Sequence, residues 1–256
     1  MIDGIVQPFV EFAFMRRALV GCVAVAVGAT PVGVFLMLRR MSLTGDAMAH
    51  AILPGAAVGY LVAGLSLGAM TVGGIVAGLT VALLAGAVTR STILREDASL
   101  AAFYLISLAA GVLIVSLRGS NIDLLHVLFG TVLALDDAAL FLLAGIATVT
   151  LVALALLYRP LLLECLDPGF LRSVSRTSAV AHYAFLVLAV LNLVGGFHAL
   201  GTLMAVGMMI LPAAAARFWA DGVAGLMAAA LLIAVASSVG GLLLSFPGNL
   251  PSGPAL

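Results

Sequence analysis

Between residues 17 and 245 the chain is a succession of apolar runs, each about 20 residues long, joined by connections too short to fold alone. The runs lie near 17–38, 46–65, 69–89, 98–117, 138–158, 179–197, 199–217 and 223–245. Hydrophobic residues make up 64% of the 256 positions and charged residues 9%, with a mean hydropathy of +1.30. A water-soluble core of this size would leave far too much apolar surface uncovered. The expectation is therefore an all-α, polytopic transmembrane bundle of about eight spans, forming a single membrane domain over 1–256. No soluble domain is expected, so any energy source must sit on another chain. Asp3, Pro8 and Glu11 precede the first run, and Arg16-Arg17 lead into a stretch of spanning length, which does not read as a cleavable signal.

Glycine and proline inside the runs (Pro31, Pro54, Gly73-Gly74, Gly195-Gly196, Pro212) fit spans whose neighbours satisfy freed backbone groups and pack closely on small residues. Gly64-Leu65-Ser66-Leu67-Gly68 and Gly195-Gly196-Phe197-His198 read as tight turns. All eleven basic residues are arginine. Arg39, Arg40, Arg90, Arg95, Arg159, Arg172, Arg176 and Arg217 fall on one side, and Arg16, Arg17 and Arg118 on the other. That excess places the first group in the cytoplasm and the N-terminus outside.

The longest cytoplasmic connection is then 159–178. Asp167-Pro168 has the pattern of an N-cap followed by a first-turn proline, and Phe170, Leu171 and Val174 would share an apolar face. A short amphipathic helix near 164–176 fits, either as an ordinary interfacial loop or as a docking element for a cytoplasmic partner. Cys22 and Cys165 have neither disulfide nor zinc-site spacing. Met204, Met208 and Met209 suit packing better than soft-metal binding.

Asp46 and His50 are the anomaly, since they sit four residues apart within an apolar span. In a helix that spacing puts a carboxylate and an imidazole on one face, where they can hold a divalent cation or pin the span to a neighbour. An ionisable pair in a membrane marks a candidate functional site. Pro54-Gly55, one turn on, is expected to break the helix and expose carbonyls.

Five stretches together resemble the metal-uptake family of ATP-binding-cassette transporter permeases. Arg39-Arg40-Met41-Ser42-Leu43-Thr44-Gly45-Asp46-Ala47-Met48-Ala49-His50-Ala51, followed by the acidic turn Arg95-Glu96-Asp97-Ala98, is similar to the family signature. Asp123-Leu124-Leu125-His126-Val127-Leu128-Phe129-Gly130 resembles its Asp-Leu-Met/Leu-x-x-Leu-Phe-Gly segment. Leu166-Asp167-Pro168-Gly169-Phe170 resembles its coupling helix, and the stretch from Gly201 to Leu211-Pro212-Ala213-Ala214-Ala215-Ala216-Arg217 its Leu/Ile-Pro-Ala-x-x-Ala-Arg segment. The resemblance implies a homodimeric permease in the inner (cytoplasmic) membrane, contacting membrane lipid. Two cytoplasmic ATP-binding subunits and an extracytoplasmic metal-binding protein would serve it. It implies no enzyme activity, no permanently bound cofactor and no nucleic acid; the transported ion would be zinc, manganese or iron. With no lysine the chain has no phosphate-binding Gly-x-x-x-x-Gly-Lys-Ser/Thr loop, so ATP hydrolysis belongs to a separate subunit.

Two departures from the family stand out. Members run on past a Pro-x-Gly-Pro region with one more span, whereas this sequence ends at Pro251-Ser252-Gly253-Pro254-Ala255-Leu256, so a final family span is expected to be absent. His198 stands where an uncharged residue is expected.

The resemblance carries metal binding onto Asp46 and His50. Two ligands leave a coordination shell incomplete, which suits an ion that must leave again. Asp123 and His126, three apart in an external segment, read either as solvated loop residues or as a mouth site that His198 could join, with Asp136 and Asp137 adding negative potential. Glu164, Asp167, Pro168, Phe170 and Leu171 are the expected ATPase-coupling residues. Glu96 and Asp97 beside Arg95 read as a solvated cytoplasmic ion cluster, and His182 lies near the cytoplasmic end of its span. Alternatives are a permease for metal chelates such as siderophores and a stand-alone ion-coupled carrier. An intramembrane metalloprotease is disfavoured, because there is no His-Glu-x-x-His.

Overall fold

The computed structural model describes residues 9–64, 66–118 and 135–248, with side chains at 42, 43, 115, 117, 118, 198, 199 and 246–248 left out. Among the described residues the chain is all helical, with no strand. In order the helices are α1 (Ala13–Leu38), α2 (Ser42–Ala63), α3 (Leu67–Ser91), α4 (Glu96–Arg118), α5 (Asp137–Leu166), α6 (Pro168–Val174), α7 (Thr177–Leu200), α8 (Thr202–Ala216) and α9 (Val223–Gly248). Seven of them, α1 to α5, α7 and α9, are long and apolar enough to cross a membrane. The expected run 199–217 instead forms the 15-residue α8, which at 1.5 Å per residue reaches about 22 Å, short of a hydrocarbon core of about 30 Å.

The ends of the helices follow local chemistry. α1 closes in a Schellman motif: the Met41 N–H donates to the Leu36 carbonyl at 2.9 Å and the Arg40 N–H to that of Met37 at 3.1 Å. Arg40 holds the left-handed position, with φ 59°, that glycine usually takes there. Gly64 ends α2 at φ 66°, and the Ser66 hydroxyl caps α3 by accepting from the Ala69 N–H. The other expected turn is moved: α7 runs helically through Gly195-Gly196 and ends only at Leu200, before Gly201 at φ 82°. The two glycines serve packing instead, since a methyl group at Gly195 would meet Ile146 and one at Gly196 would meet Ala205.

The helices form two compact units, the first from the described parts of Met1–Val34, Asp123–Thr148 and Gly195–Leu256, the second from Phe35–Ile122 and Val149–Val194. In the first, Gly33 lies against the backbone of Met209, and Arg17 pairs with Asp137 at 3.1 Å.

The second unit carries the candidate site. There α2 and α3 form an antiparallel pair in which Gly55 meets Gly73 and Gly59 meets Ala69, backbone to backbone. Both helices thus offer small residues at four-residue spacing, the arrangement that lets apolar helices associate by close approach where lipid supplies no hydrophobic drive. α4 runs parallel to α2 and packs against both α2 and α3. The Thr44 hydroxyl donates to Asp97 Oδ1 at 3.4 Å, the Ser107 hydroxyl to the Ala51 carbonyl at 3.2 Å, and Pro54 fills the space over Gly111.

Candidate metal-passage site

Asp46 and His50 lie in the second and third turns of α2, on one face as their spacing requires. His50 Nε2 is 3.7 Å from Asp46 Oδ1, too far for a hydrogen bond, so neither lone pair is consumed by the other. Donors bound to one divalent ion at about 2.0–2.2 Å sit roughly 3 Å apart. A small closing of the two side chains would therefore straddle an ion. The His50 ring stacks on Tyr104 of α4, at 6.3 Å and 29°, which fixes the plane from which Nε2 is presented.

The side chains of Asp46 and His50 are 64% and 39% exposed in the isolated chain. On an apolar helix that is a costly surface to turn towards lipid. Among the described residues no group of three or more His, Cys, Asp or Glu side chains assembles a metal centre, so this chain presents two donors here.

The expected break at Pro54-Gly55 does not occur, because α2 is continuous from Ser42 to Ala63. Proline removes only the hydrogen bond to the His50 carbonyl, and Pro54 packs on Gly111 and Gly55 on Gly73 as the helix continues through that gap. Asp123 and His126 lie outside the described residues, and His198 falls in α7 with its side chain likewise outside them.

A second polar cluster, which the sequence did not suggest as such, gathers the ends of five helices. Arg39 lies 4.0 Å from Glu96, His182 Nδ1 3.7 Å from the same carboxylate, and Arg90 3.7 Å from Glu164. The Arg39 guanidinium also covers the Phe185 ring at 4.5 Å. Glu96 is thus not the solvated residue its neighbours Arg95 and Asp97 suggested. It is largely buried, while Arg95 and Asp97 pair at the surface at 3.8 Å. His182 and Glu164 are each only 2% exposed. Several atoms of the cluster, including Glu164 Oε2 and His182 Nε2, have no hydrogen-bond partner among the described residues. Charge attraction in a low-dielectric setting links Arg39 to Glu96 and Arg90 to Glu164 across 4.0 Å and 3.7 Å.

The cluster brackets α6. Asp167 Oδ1 caps that helix by accepting from the Phe170 N–H at 2.8 Å, with Pro168 in its first turn. Leu171 is buried, Phe170 is 54% exposed, and Leu166 and Val174 are exposed beside it. Glu164 precedes α6 and pairs inwards with Arg90, which also donates to the Ser178 hydroxyl at 3.3 Å, just past α6.

The chain is 32% identical over 257 residues to the manganese import system permease protein ScaB of Streptococcus parasanguinis, covering 100% of this chain and 90% of that protein. It is 30% identical over 248 residues to the manganese transport system membrane protein MntC of Halalkalibacterium halodurans, covering 96% and 83%. Among solved structures, PsaBC from Streptococcus pneumoniae in complex with Fab superposes with a TM-score of 0.83 at 30% identity, covering 100% of this chain and 91% of that one. The family model described as the ABC 3 transport family matches residues 11–256, and the chain belongs to that family of multi-pass membrane proteins.

Proposed function

We propose that the whole chain acts as one permease domain of an ATP-binding-cassette importer that moves a divalent transition-metal ion, manganese first, across the cytoplasmic membrane into the cell. The observation that carries this reading is the Asp46–His50 pair, facing one another at 3.7 Å on the open face of an otherwise apolar helix. A carboxylate and an imidazole serve manganese, iron and zinc alike. The names of the relatives favour manganese among the three.

Exposure of the pair and its two-donor shell support a homodimer in which α2 of each copy faces a shared path. Two copies would contribute four side-chain donors, with water completing a labile shell. Asp123, His126 and His198 would receive the ion from an extracytoplasmic metal-binding protein. On the other side Asp167, Pro168, Phe170 and Leu171 would form the coupling helix that docks a cytoplasmic ATP-binding subunit, with the exposed Phe170 as its anchor. Glu164 would act through Arg90, passing movement of α6 to the end of α3, while Arg39 and Glu96 tie the start of α2 to α4.

The test is uptake of manganese, iron and zinc by cells stripped of their own importers and supplied with this permease, a matching ATPase and a donor protein. Manganese uptake well above that of zinc supports the reading. Uptake of a metal chelate but of no free ion would replace it.

A further inference from the structure

A pocket of about 480 Å³ opens between the end of α3 and the α6–α7 link, within the range of about 300–1,000 Å³ typical of small-molecule sites. Its charged lining is entirely basic: Arg90 from the last turn of α3, Arg172 from the last turn of α6, and Arg176 from the link. No carboxylate lines it. Glu164 offsets Arg90 from behind, but neither Arg172 nor Arg176 has an ion-pair partner among the described residues. Arg172 feels the Glu96 carboxylate only at longer range, so the concavity keeps a net basic lining. Ser178, which also lines the pocket, is 1% exposed. It accepts from Arg90, and its own proton finds no acceptor among the described residues. A buried hydroxyl donor beside three guanidinium groups is the chemistry that holds a phosphate, because it adds a fixed donor to planar bidentate ones.

We infer that this pocket binds a phosphate-bearing anion, and that its occupant is the headgroup of an anionic phospholipid. Position selects the lipid over a free anion. α3 ends at Ser91 and α7 begins at Thr177, both of them spans, so the pocket lies at the membrane boundary where headgroup phosphates sit. Its rim also carries Val174, 67% exposed, which suits the acyl-proximal part of an amphiphile and offers nothing to a hydrated phosphate ion. A bound headgroup would hold the α6–α7 link to the membrane plane. This inference stands whatever the permease carries.

The test uses the purified full chain in neutral detergent, titrated separately with phosphatidylglycerol, phosphatidylcholine and inorganic phosphate. Retained lipid is read by native mass spectrometry and protection by the thermal unfolding midpoint. Phosphatidylglycerol should raise the midpoint and remain bound, while phosphatidylcholine should do neither. Arg172→Gln/Arg176→Gln should weaken phosphatidylglycerol binding about 30-fold, from roughly fivefold per arginine. Arg172→Lys/Arg176→Lys should keep most of the binding, and Arg217→Gln, an exposed arginine in the other unit, should keep all of it. Equal phosphatidylglycerol binding by wild type and the double Gln variant would overturn the site. Protection by inorganic phosphate alone, equal to that by phosphatidylglycerol, would overturn the lipid as its occupant.

Discussion

Arg40 shows how much local conflict this chain tolerates next to its candidate site. A non-glycine residue at φ 59° brings Cβ close to its own carbonyl, at a cost of about 1–2 kcal/mol, offset in part by the lower freedom of arginine over glycine in the unfolded chain. Arg40→Gly should therefore stabilise the permease by about 0.5–1 kcal/mol, read as a rise in its thermal midpoint in detergent; a fall would show that the Arg40 side chain makes a compensating contact. Glu164 presents the opposite case, a buried carboxylate 3.7 Å from Arg90. Glu164→Gln leaves Arg90 without its counter-charge and should cost about 1–3 kcal/mol, whereas replacing both by apolar residues of similar volume, Arg90→Met/Glu164→Leu, should recover most of that loss. If the double variant is no more stable than the single one, the pair is not the unit described. Asp46 and His50 differ from both, because their exposure and separation leave lone pairs free rather than satisfied.

Among the elements, the α2–α3 pair depends on absent side chains. A Cβ at Gly55 would run into the Gly73 carbonyl, and that neighbour is backbone that cannot turn aside. Gly55→Val should destabilise by about 1–3 kcal/mol or more and displace Asp46 and His50 with the rest of α2, detectable as lower expression and a lower thermal midpoint. On α6, Phe170→Asp should abolish co-purification with the ATP-binding subunit without lowering the midpoint, since Phe170 is exposed and caps nothing. Much of this level was legible in the sequence. Run lengths gave the long helices, and Asp167-Pro168 gave the start of α6, because these signals are local. What failed was punctuation and partnership. Pro54-Gly55 reads as a break and Gly195-Gly196 as a tight turn, yet both serve close packing between helices, and the true break at Gly201 carries a positive φ that no neighbouring residue announces. Glu96 read as solvated because its sequence neighbours are charged; only the tertiary arrangement brings Arg39 and His182 to it.

For the whole molecule, the chain belongs to the ABC 3 transport family, and the Asp46–His50 geometry supplies the donor pair that the proposed metal passage needs. The pair itself was visible from spacing alone. Its stack on Tyr104 and its outward exposure were not, because they depend on how α4 packs beside α2. Exposure on an apolar helix is what turns two insufficient ligands into an argument for a second copy. The central claim is tested most directly by ATP-driven uptake of radioactive manganese into vesicles carrying the permease with its ATP-binding subunit and donor protein, wild type against Asp46→Asn/His50→Ala. The double variant should assemble with the ATPase as the wild type does and transport at least about 100-fold more slowly, as expected when two coordinating groups are lost at roughly 1.4 kcal/mol or more each. Uptake at the wild-type rate by a correctly assembled double variant would contradict the account.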